Sequence, residues 1–223
     1  MSVFDVAIIG GGLAGKSTAI HLLQKGYSVL ILEKSKSNKS IHCAGGMAAS
    51  VKNYLSLNIE KAIETEIKRV HFTWRNDDPI LAELSGESPF LIVNRKNLDS
   101  ILTKEVNRFG AIILFSINVE SLKLDNDNWH IQCGYGKFFR AKYLVIADGS
   151  ESCWASYLSL GPNRPKYAST IAINIKGLGN IKKNTVRFEF GSIKYGFAWA
   201  FPMKDSINIG LGSFLGDSNI KDK

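Results

Sequence analysis

Eight residues near the amino terminus have the types and spacing that bind phosphate groups. They read GGGLAGKS, begin at Gly10, and match two phosphate-binding patterns at once. The pattern GxGxxG uses Gly10, Gly12 and Gly15, whereas GxxxxGK[ST] uses Gly10, Gly15, Lys16 and Ser17. In both patterns, backbone N–H groups at the positive end of a helix bind a pyrophosphate that side chains would block. The glycines alone therefore do not decide between a dinucleotide site and a P-loop.

The residues around this segment favour the dinucleotide site. Such a site also needs a carboxylate at the end of the second strand to bind the adenosine ribose, and Glu33 stands there, 18 residues after Gly15. Ala19 would keep the helix close to the sheet, and Lys16 is then expected to face solvent. A P-loop would instead need a magnesium-binding acid after another apolar strand, which Asp148 after LVIA imitates. The carboxylate at position 33 also favours FAD or NAD over NADP.

The elements that position these residues form a β-α-β unit. An apolar, β-branched run predicts a buried strand at 3–9, residues 13–25 predict a helix that stops at Gly26, and a second apolar run predicts a strand at 29–32. The handedness rule makes the two strands parallel. A helical spacing of apolar residues predicts a further helix over 97–109.

After the helix at 97–109, strands are predicted for most of the chain. The runs 118–124, 129–133 and 138–146 are separated by turn residues and predict a small antiparallel meander that returns to a buried strand. From 167 to 215, β-prone runs alternate with glycines and have no helical period. A second layer built on a sheet is therefore expected.

Composition and charge exclude several classes of protein. The 223 residues include 28 Lys or Arg and 20 Asp or Glu, which gives a net charge of +8, and 45% are hydrophobic. This is a globular composition, and the charge is scattered, so no nucleic-acid partner is expected. No apolar run approaches the roughly 18 residues of a membrane span and no secretory signal is recognisable, so a cytoplasmic location is expected. The three cysteines follow no metal-binding spacing, which predicts neither a metal site nor a disulfide framework.

The chain from Phe4 to Gly212 resembles the FAD-dependent geranylgeranyl reductase family. That family lies within the broader class of flavoproteins built like glutathione reductase and the aromatic hydroxylases. The matching segments are DVAIIGGGLAG at 5–15 with EK at 33–34, CAGG at 43–46, RKNLD at 95–99, ADGS at 147–150, and YGFAWAFP at 195–202 followed by NIGLG at 208–212. The first and fourth segments are shared across the class, whereas the last one points to this family.

The resemblance implies the α/β fold class. It comprises a Rossmann-like FAD-binding domain of the β-β-α type with the antiparallel meander, and a mostly antiparallel β layer on the substrate side. The implied FAD-binding domain is discontinuous, over 1–66 and 91–165, and the substrate-side domain covers 67–90 and 166–223. Relatives have a late Gly-Asp-Ala motif, for which GDS at 216–218 is a poor substitute. The substrate-side domain is therefore expected to be incomplete, and the chain to lack the carboxy-terminal part of the family.

The resemblance also implies roles for individual residues. Those that would bind the cofactor are Gly10, Gly12, Leu13, Ala14, Gly15, Glu33, Lys34, Arg95, Val119, Asp148 and Gly149. Trp199, Phe201 and Pro202 would line the substrate side of the flavin ring, and Cys43 is the candidate catalytic residue, as a proton donor. No metal ligand is implied.

Several of these positions have a structural alternative. Arg95 could be a helix-start residue or part of a surface ion pair, Trp199 could be a core residue, and Cys43 could be a small buried hydrophobe. The chain also departs from the pattern at two places. An extra residue follows Cys43 before the glycines, and Trp154 stands where the wider class often has Arg.

The implied reaction is the reduction of isolated double bonds in a prenyl chain by a hydride and a proton. FAD is the implied cofactor, NAD(P)H the implied electron donor, and a prenyl lipid the implied substrate. Peripheral contact with a membrane would be assisted by the positive charge. The oligomeric state is not predicted. Three alternatives stay open: an FAD-dependent monooxygenase or lycopene-cyclase-like flavoprotein, a P-loop nucleotide hydrolase, and a non-catalytic FAD-binding remnant.

Overall fold

The computed structural model describes most of the chain. The described residues are 3–37, 43–55, 57–86, 89–161, 166–177 and 179–214, so the GDS sequence at 216–218 lies outside them. The chain divides into two compact units, which are Met1–Ser40 with Asp99–Arg164, and Ile41–Leu98 with Pro165–Lys223. The domain boundaries implied by the resemblance are different ones and stay a prediction.

The helices and strands follow one another in a mixed α/β order. They are β1 (Phe4–Ile9), α1 (Leu13–Gln24), β2 (Val29–Glu33), β3 (Gly46–Ala48), α2 (Val51–Leu55), β4 (Ile63–Ile67), β5 (Arg69–Trp74), β6 (Asp77–Glu83), β7 (Phe90–Val93), α3 (Arg95–Arg108), β8 (Ile112–Phe115), β9 (Val119–Asp125), β10 (Asn128–Cys133), β11 (Lys137–Ile146), α4 (Cys153–Tyr157), β12 (Ser169–Lys176), β13 (Thr185–Phe190), β14 (Gly196–Pro202) and β15 (Ser206–Ser213). Within the described part of the chain, no helix is long and apolar enough to cross a membrane.

The first unit is built on a six-stranded sheet in the order β8-β2-β1-β11-β10-β9. Strands β8, β2, β1 and β11 run parallel, and β11, β10 and β9 form the antiparallel meander. The parallel β-α-β unit and the meander expected from the sequence are therefore confirmed. Side chains from β1, β2, β10 and β11 form the core, including Ala7, Leu30, Ile131 and Ala141, all fully buried. The helix α1 packs on the sheet through Ala19, which has no exposed surface. The small side chain of Ala19 allows the helix to lie close to the strands.

The residues between β8 and β9 must cross this sheet, because those two strands lie at opposite edges. The crossing runs past the carboxyl end of β2. There, the Ser116 N–H donates to the Ser35 carbonyl at 3.1 Å, and the Ile117 N–H donates to the Glu33 carbonyl at 3.0 Å. The backbone of the crossing segment is thereby fixed beside the residues that end β2.

The second unit contains two sheets. One has six strands in the order β12-β15-β14-β13-β5-β6, and the other has three in the order β3-β7-β4. All pairings are antiparallel except that of β13 with β5. The mostly antiparallel layer implied by the resemblance is therefore confirmed. Its core is aromatic, since the Phe188 ring centroid lies 5.9 Å from that of Phe72 and 5.4 Å from that of Phe201.

Candidate functional site

A groove of about 340 Å³ lies at the carboxyl ends of the parallel strands in the first unit. In open α/β sheets, ligands bind in this position because strand ends, loops and helix N-termini meet there. The predicted cofactor-binding residues that line the groove are Gly10, Gly12, Glu33, Lys34, Val119, Asp148 and Gly149. The structure therefore brings together residues that are up to 139 positions apart in the sequence.

Two glycines of the glycine-rich turn, Gly10 and Gly15, lie so close to neighbouring backbone that a side chain would not fit. Gly10 has φ +104°, and an added Cβ would overlap the Ala147 carbonyl oxygen. A Cβ at Gly15 would overlap the Gly10 carbonyl oxygen, so α1 can begin close against the end of β1. By contrast, a Cβ at Gly12 would meet nothing within 4 Å, because this residue borders the groove. A ligand can therefore approach the backbone at Gly12.

Two further predicted residues, Leu13 and Ala14, form the start of α1. Leu13 is half-buried and Ala14 is exposed. Neither side chain lines the groove. Any contact with a cofactor would therefore come from their backbone N–H groups, which belong to the first turn of α1 and have no intrahelical acceptor there.

Glu33 is the last residue of β2 and is held by the backbone on both carboxylate oxygens. The Gly11 N–H donates to Oε2 at 2.6 Å, and the Ser35 N–H donates to Oε1 at 2.7 Å. An ionised carboxylate accepts hydrogen bonds from hydroxyl groups, which is the chemistry that a ribose requires. The side chain is thus oriented at the edge of the groove in the way a ribose-binding acid requires.

Asp148 follows β11 and reaches the groove from the other side of the glycine-rich turn. Its Oδ1 atom is buried and has no hydrogen-bond partner among the residues that the structure describes. A buried carboxylate oxygen without a donor is costly, and a ligand hydroxyl or amide could supply that donor. Together with the open backbone at Gly12 and the oriented Glu33, this oxygen fits a bound dinucleotide.

The prediction that Lys16 faces solvent is wrong. Its side chain lies in the interior, 1% exposed, and Nζ donates to Asp99 Oδ2 of α3 at 2.8 Å. The carboxylate of Asp99 neutralises the ammonium group, which is what allows a lysine to be buried. In a P-loop, the equivalent ammonium group contacts phosphate, whereas here a carboxylate of the same unit already binds it.

In the second unit, the structure brings Arg95 and Cys43 into contact. Arg95 is the first residue of α3, and its Nη1 donates to Cys43 Sγ at 3.1 Å. The Gly45 N–H also points to this sulfur, at 3.4 Å. Cys43 is exposed, so it is not a small buried hydrophobe. Arg95 Nε is buried and has no partner within the described ranges.

The predicted substrate-side residues lie on β14 but on two faces of its sheet. Trp199 and Phe201 share the aromatic face, where their ring centroids are 6.3 Å apart, and Pro202 lies on the opposite face because side chains alternate along a strand. Phe201 is 7% exposed and belongs to the core, whereas Trp199 is half-buried. The alternation of side chains along this strand could have been predicted from the sequence, and it would have placed Pro202 on the opposite face from Trp199 and Phe201.

Sequence reasoning missed residues that act through tertiary contacts. Ile117 and Asn118 line the groove because the crossing segment passes over the sheet, and nothing in their local sequence predicts this. Asn208 accepts a hydrogen bond from the Trp199 indole at 2.8 Å and donates one to Asn174 at 2.7 Å. The NIGLG segment contains Asn208, but its polar residue within an apolar strand was not assigned a role.

Comparisons with known proteins agree with this geometry. Over 229 residues the chain is 30% identical to a digeranylgeranylglycerophospholipid reductase of Methanocella arvoryzae, an alignment that covers 95% of this chain and 57% of that protein. The chain spans about half the length of the curated relatives it matches.

Solved structures show the same fold at lower identity. A geranylgeranyl bacteriochlorophyll reductase-like protein from Thermoplasma acidophilum has a TM-score of 0.86 and 22% identity, with 100% of this chain and 60% of that chain covered. The halogenase PltM, solved with phloroglucinol and FAD, has a TM-score of 0.75 and 16% identity, with 95% and 52% covered. A family model described as an FAD binding domain matches residues 3–178. The chain therefore belongs to the FAD binding domain family.

Proposed function

We propose that this chain is the FAD-binding part of an oxidoreductase that reduces the C=C bonds of a prenyl chain. The observation that supports this most directly is the groove at the strand ends, with Glu33 oriented by two backbone N–H groups, in a chain of the FAD binding domain family. The prenyl substrate is inferred from relatives named digeranylgeranylglycerophospholipid reductase.

The groove residues have distinct roles in holding FAD. Glu33 would accept hydrogen bonds from the adenosine ribose, and the backbone at Gly12 and the first turn of α1 would bind the pyrophosphate. Val119 begins the edge strand β9 and would offer its backbone to the adenine. The free acceptor of Asp148 would take a donor from the cofactor, and Lys34, exposed at the rim, would add positive charge near the phosphates.

When bound, reduced FAD supplies the hydride, and NAD(P)H is the proposed electron donor. Reduction of an alkene also needs a proton for the second carbon, and we assign this proton to the thiol of Cys43. Arg95 and Gly45 donate N–H groups to its sulfur, which fixes the direction of the side chain. The guanidinium of Arg95 then lies next to the sulfur that becomes negative when the proton leaves.

The apolar part of the substrate would pack against the aromatic face of the six-stranded sheet. Trp199 is one of several half-buried rings of this face that a ligand can contact, while Phe201 supports it from the core. A prenyl lipid is drawn from a membrane, so the proposal includes a cytoplasmic protein with peripheral membrane contact, assisted by the net charge of +8.

The first experiment is the visible absorption spectrum of the purified protein, with identification of any nucleotide released on denaturation. A flavin spectrum and released FAD are expected. Geranylgeranyl diphosphate is then incubated with the protein and NADPH, or with dithionite as reductant, and mass spectrometry counts two added hydrogen atoms for each reduced bond. A colourless protein that does not take up added FAD would contradict the proposal.

Variants separate the alternatives. Cys43→Ala is expected to keep FAD and lose turnover, whereas the exposed control Lys123→Ala should change neither. Unchanged reduction rates in Cys43→Ala would exclude the thiol as the proton source. FAD bound without any reduction would favour a non-catalytic remnant, and oxygen incorporated into the product would favour a monooxygenase. A P-loop hydrolase would require ATP binding that Lys16→Ala abolishes, and the bond from Lys16 to Asp99 argues against it.

A further inference from the structure

The indole of Trp199 lies flat against the neighbouring strand β15. A Cβ added at Gly210 would overlap the six-membered ring of Trp199, and Gly210 stands directly opposite Trp199 in the strand register. At Gly212, the same ring is 3.7 Å from the position of an added Cβ. The two glycines of the NIGLG segment therefore form the surface on which the indole rests.

A single polar contact fixes the indole within that plane. Its Nε1–H donates to Oδ1 of Asn208 at 2.8 Å. Asn208 is 5% exposed and lies two residues before Gly210 on the same face of β15, so its side chain reaches the indole diagonally across the strand pair. Because this bond uses the one donor of the ring, the indole presents only carbon to a ligand.

The amide of Asn208 is hydrogen-bonded at both ends, to Trp199 through its oxygen and to Asn174 through its nitrogen. Asn208 Nδ2 donates to Asn174 Oδ1 at 2.7 Å, and the two residues are opposite each other on β15 and β12. If the amide of Asn208 flipped, two donors would face each other at Trp199. The donor-only indole therefore fixes the acceptor oxygen of Asn208 toward itself, and Asn174 accepts from the other end of the amide.

We propose that Asn208 is the positioning residue that holds Trp199 as a flat hydrocarbon wall for a prenyl-type chain. The identity of the ligand rests on the proposed function, whereas the contact between Asn208 and Trp199 does not. A ring whose N–H is already bonded inside the sheet gives no hydrogen bond to a polar ligand and keeps its full apolar face for a hydrocarbon. The bond to Asn208 thus favours an apolar ligand at this position.

The test uses NMR of the indole N–H groups together with binding of geranylgeraniol. The Trp199 cross-peak is identified by its loss in Trp199→Phe among the four tryptophans. In Asn208→Leu, this peak is expected to shift, its proton to exchange with water at least about tenfold faster, and geranylgeraniol to bind about tenfold more weakly. Asn208→Asp keeps an acceptor for the indole and is expected to restore both values to within about threefold.

The control is Asn180→Leu at an exposed position, which should leave both the Trp199 peak and the affinity for geranylgeraniol unchanged. An unchanged Trp199 peak in Asn208→Leu, or a shifted peak with unchanged affinity, would overturn the positioning role. If Asn208→Leu does not fold, Asn208→Ala removes the same acceptor with a smaller side chain, and an unchanged Trp199 peak there would overturn the role equally. A wild-type protein that does not bind geranylgeraniol would contradict the proposed function, while the NMR comparison still decides the contact.

Discussion

Replacing Asp99 by Asn is expected to destabilise the first unit by about 2–3 kcal/mol, because it removes the charge that neutralises a buried ammonium group. Lys16 is 1% exposed, and its Nζ lies 2.8 Å from Asp99 Oδ2. Loss of one partner from a buried pair typically costs about 3–5 kcal/mol. The value expected here is lower, since Asn keeps the shape of the side chain and one acceptor for the ammonium group.

Lys16→Met is expected to cost less, about 1 kcal/mol. The side chain of Asp99 is 22% exposed, so water can solvate the carboxylate that remains. Removing a cation from the first turn of α1 also relieves its unfavourable interaction with the positive end of the helix, worth about 0.3–1 kcal/mol. The double variant should lie close to Lys16→Met, which gives a coupling energy of about 2 kcal/mol.

Urea unfolding followed by circular dichroism measures the four proteins of this cycle, with equal m-values as the check that the same surface is exposed. The exposed pair of Lys52 and Glu60, 2.9 Å apart, is the matched control and should show a coupling below about 1 kcal/mol. The reasoning is refuted if Lys16→Met costs more than Asp99→Asn, or if the two changes are additive to within about 0.5 kcal/mol.

Three further predictions concern other parts of the chain. Gly15→Ala would press its Cβ into the Gly10 carbonyl oxygen, so both the thermal unfolding midpoint and the retained flavin absorbance should fall; wild-type values for both would contradict the close approach. Hydrogen bonds from Lys142 and from Ser28 hold the pKa of Asp5 well below its usual range, so its stabilising effect is present above pH about 3.9 and is lost as the pH falls toward the lowered value. The difference in unfolding midpoint between wild type and Asp5→Asn should therefore shrink below that pH, and a constant difference would count against these bonds. Burial raises the pKa of the Cys133 thiol to about 11, so iodoacetamide at about pH 8 should label the exposed thiols of the folded protein and leave Cys133 unmodified, as peptide mapping can verify.

The β-α-β unit and the meander could be predicted from the sequence because their signals are local. Apolar runs bounded by glycines mark β1 and β2, and Gly26, with φ +84°, follows α1 as expected. Between 43 and 93, by contrast, sequence reasoning named no strand, although β3 to β7 lie there. Strand β6, DDPILAE, is almost entirely exposed and has no apolar alternation of the kind that identifies a half-buried strand.

The candidate site was predicted where residue type and chain position coincide. Gly10 and Gly12 of the turn, Glu33 at the end of β2 and Asp148 after β11 border the groove, because parallel strands bring their carboxyl ends to one edge of the sheet. Lys16 was predicted wrongly, since its partner Asp99 is 83 residues away and no local pattern reports it.

The sequence by itself determined the β-α-β unit and the meander of the first unit, and which end of the sheet bears the glycine-rich turn, whereas β8 and α4 were not predicted. Tertiary structure alone decided that Arg95 contacts Cys43, that Trp199 rests on Gly210, and that Asn208 holds its indole. The physical reason is that propensity and periodicity act over a few neighbouring residues. Side-chain contacts across strands and helices depend on register and packing, which are set when distant segments meet.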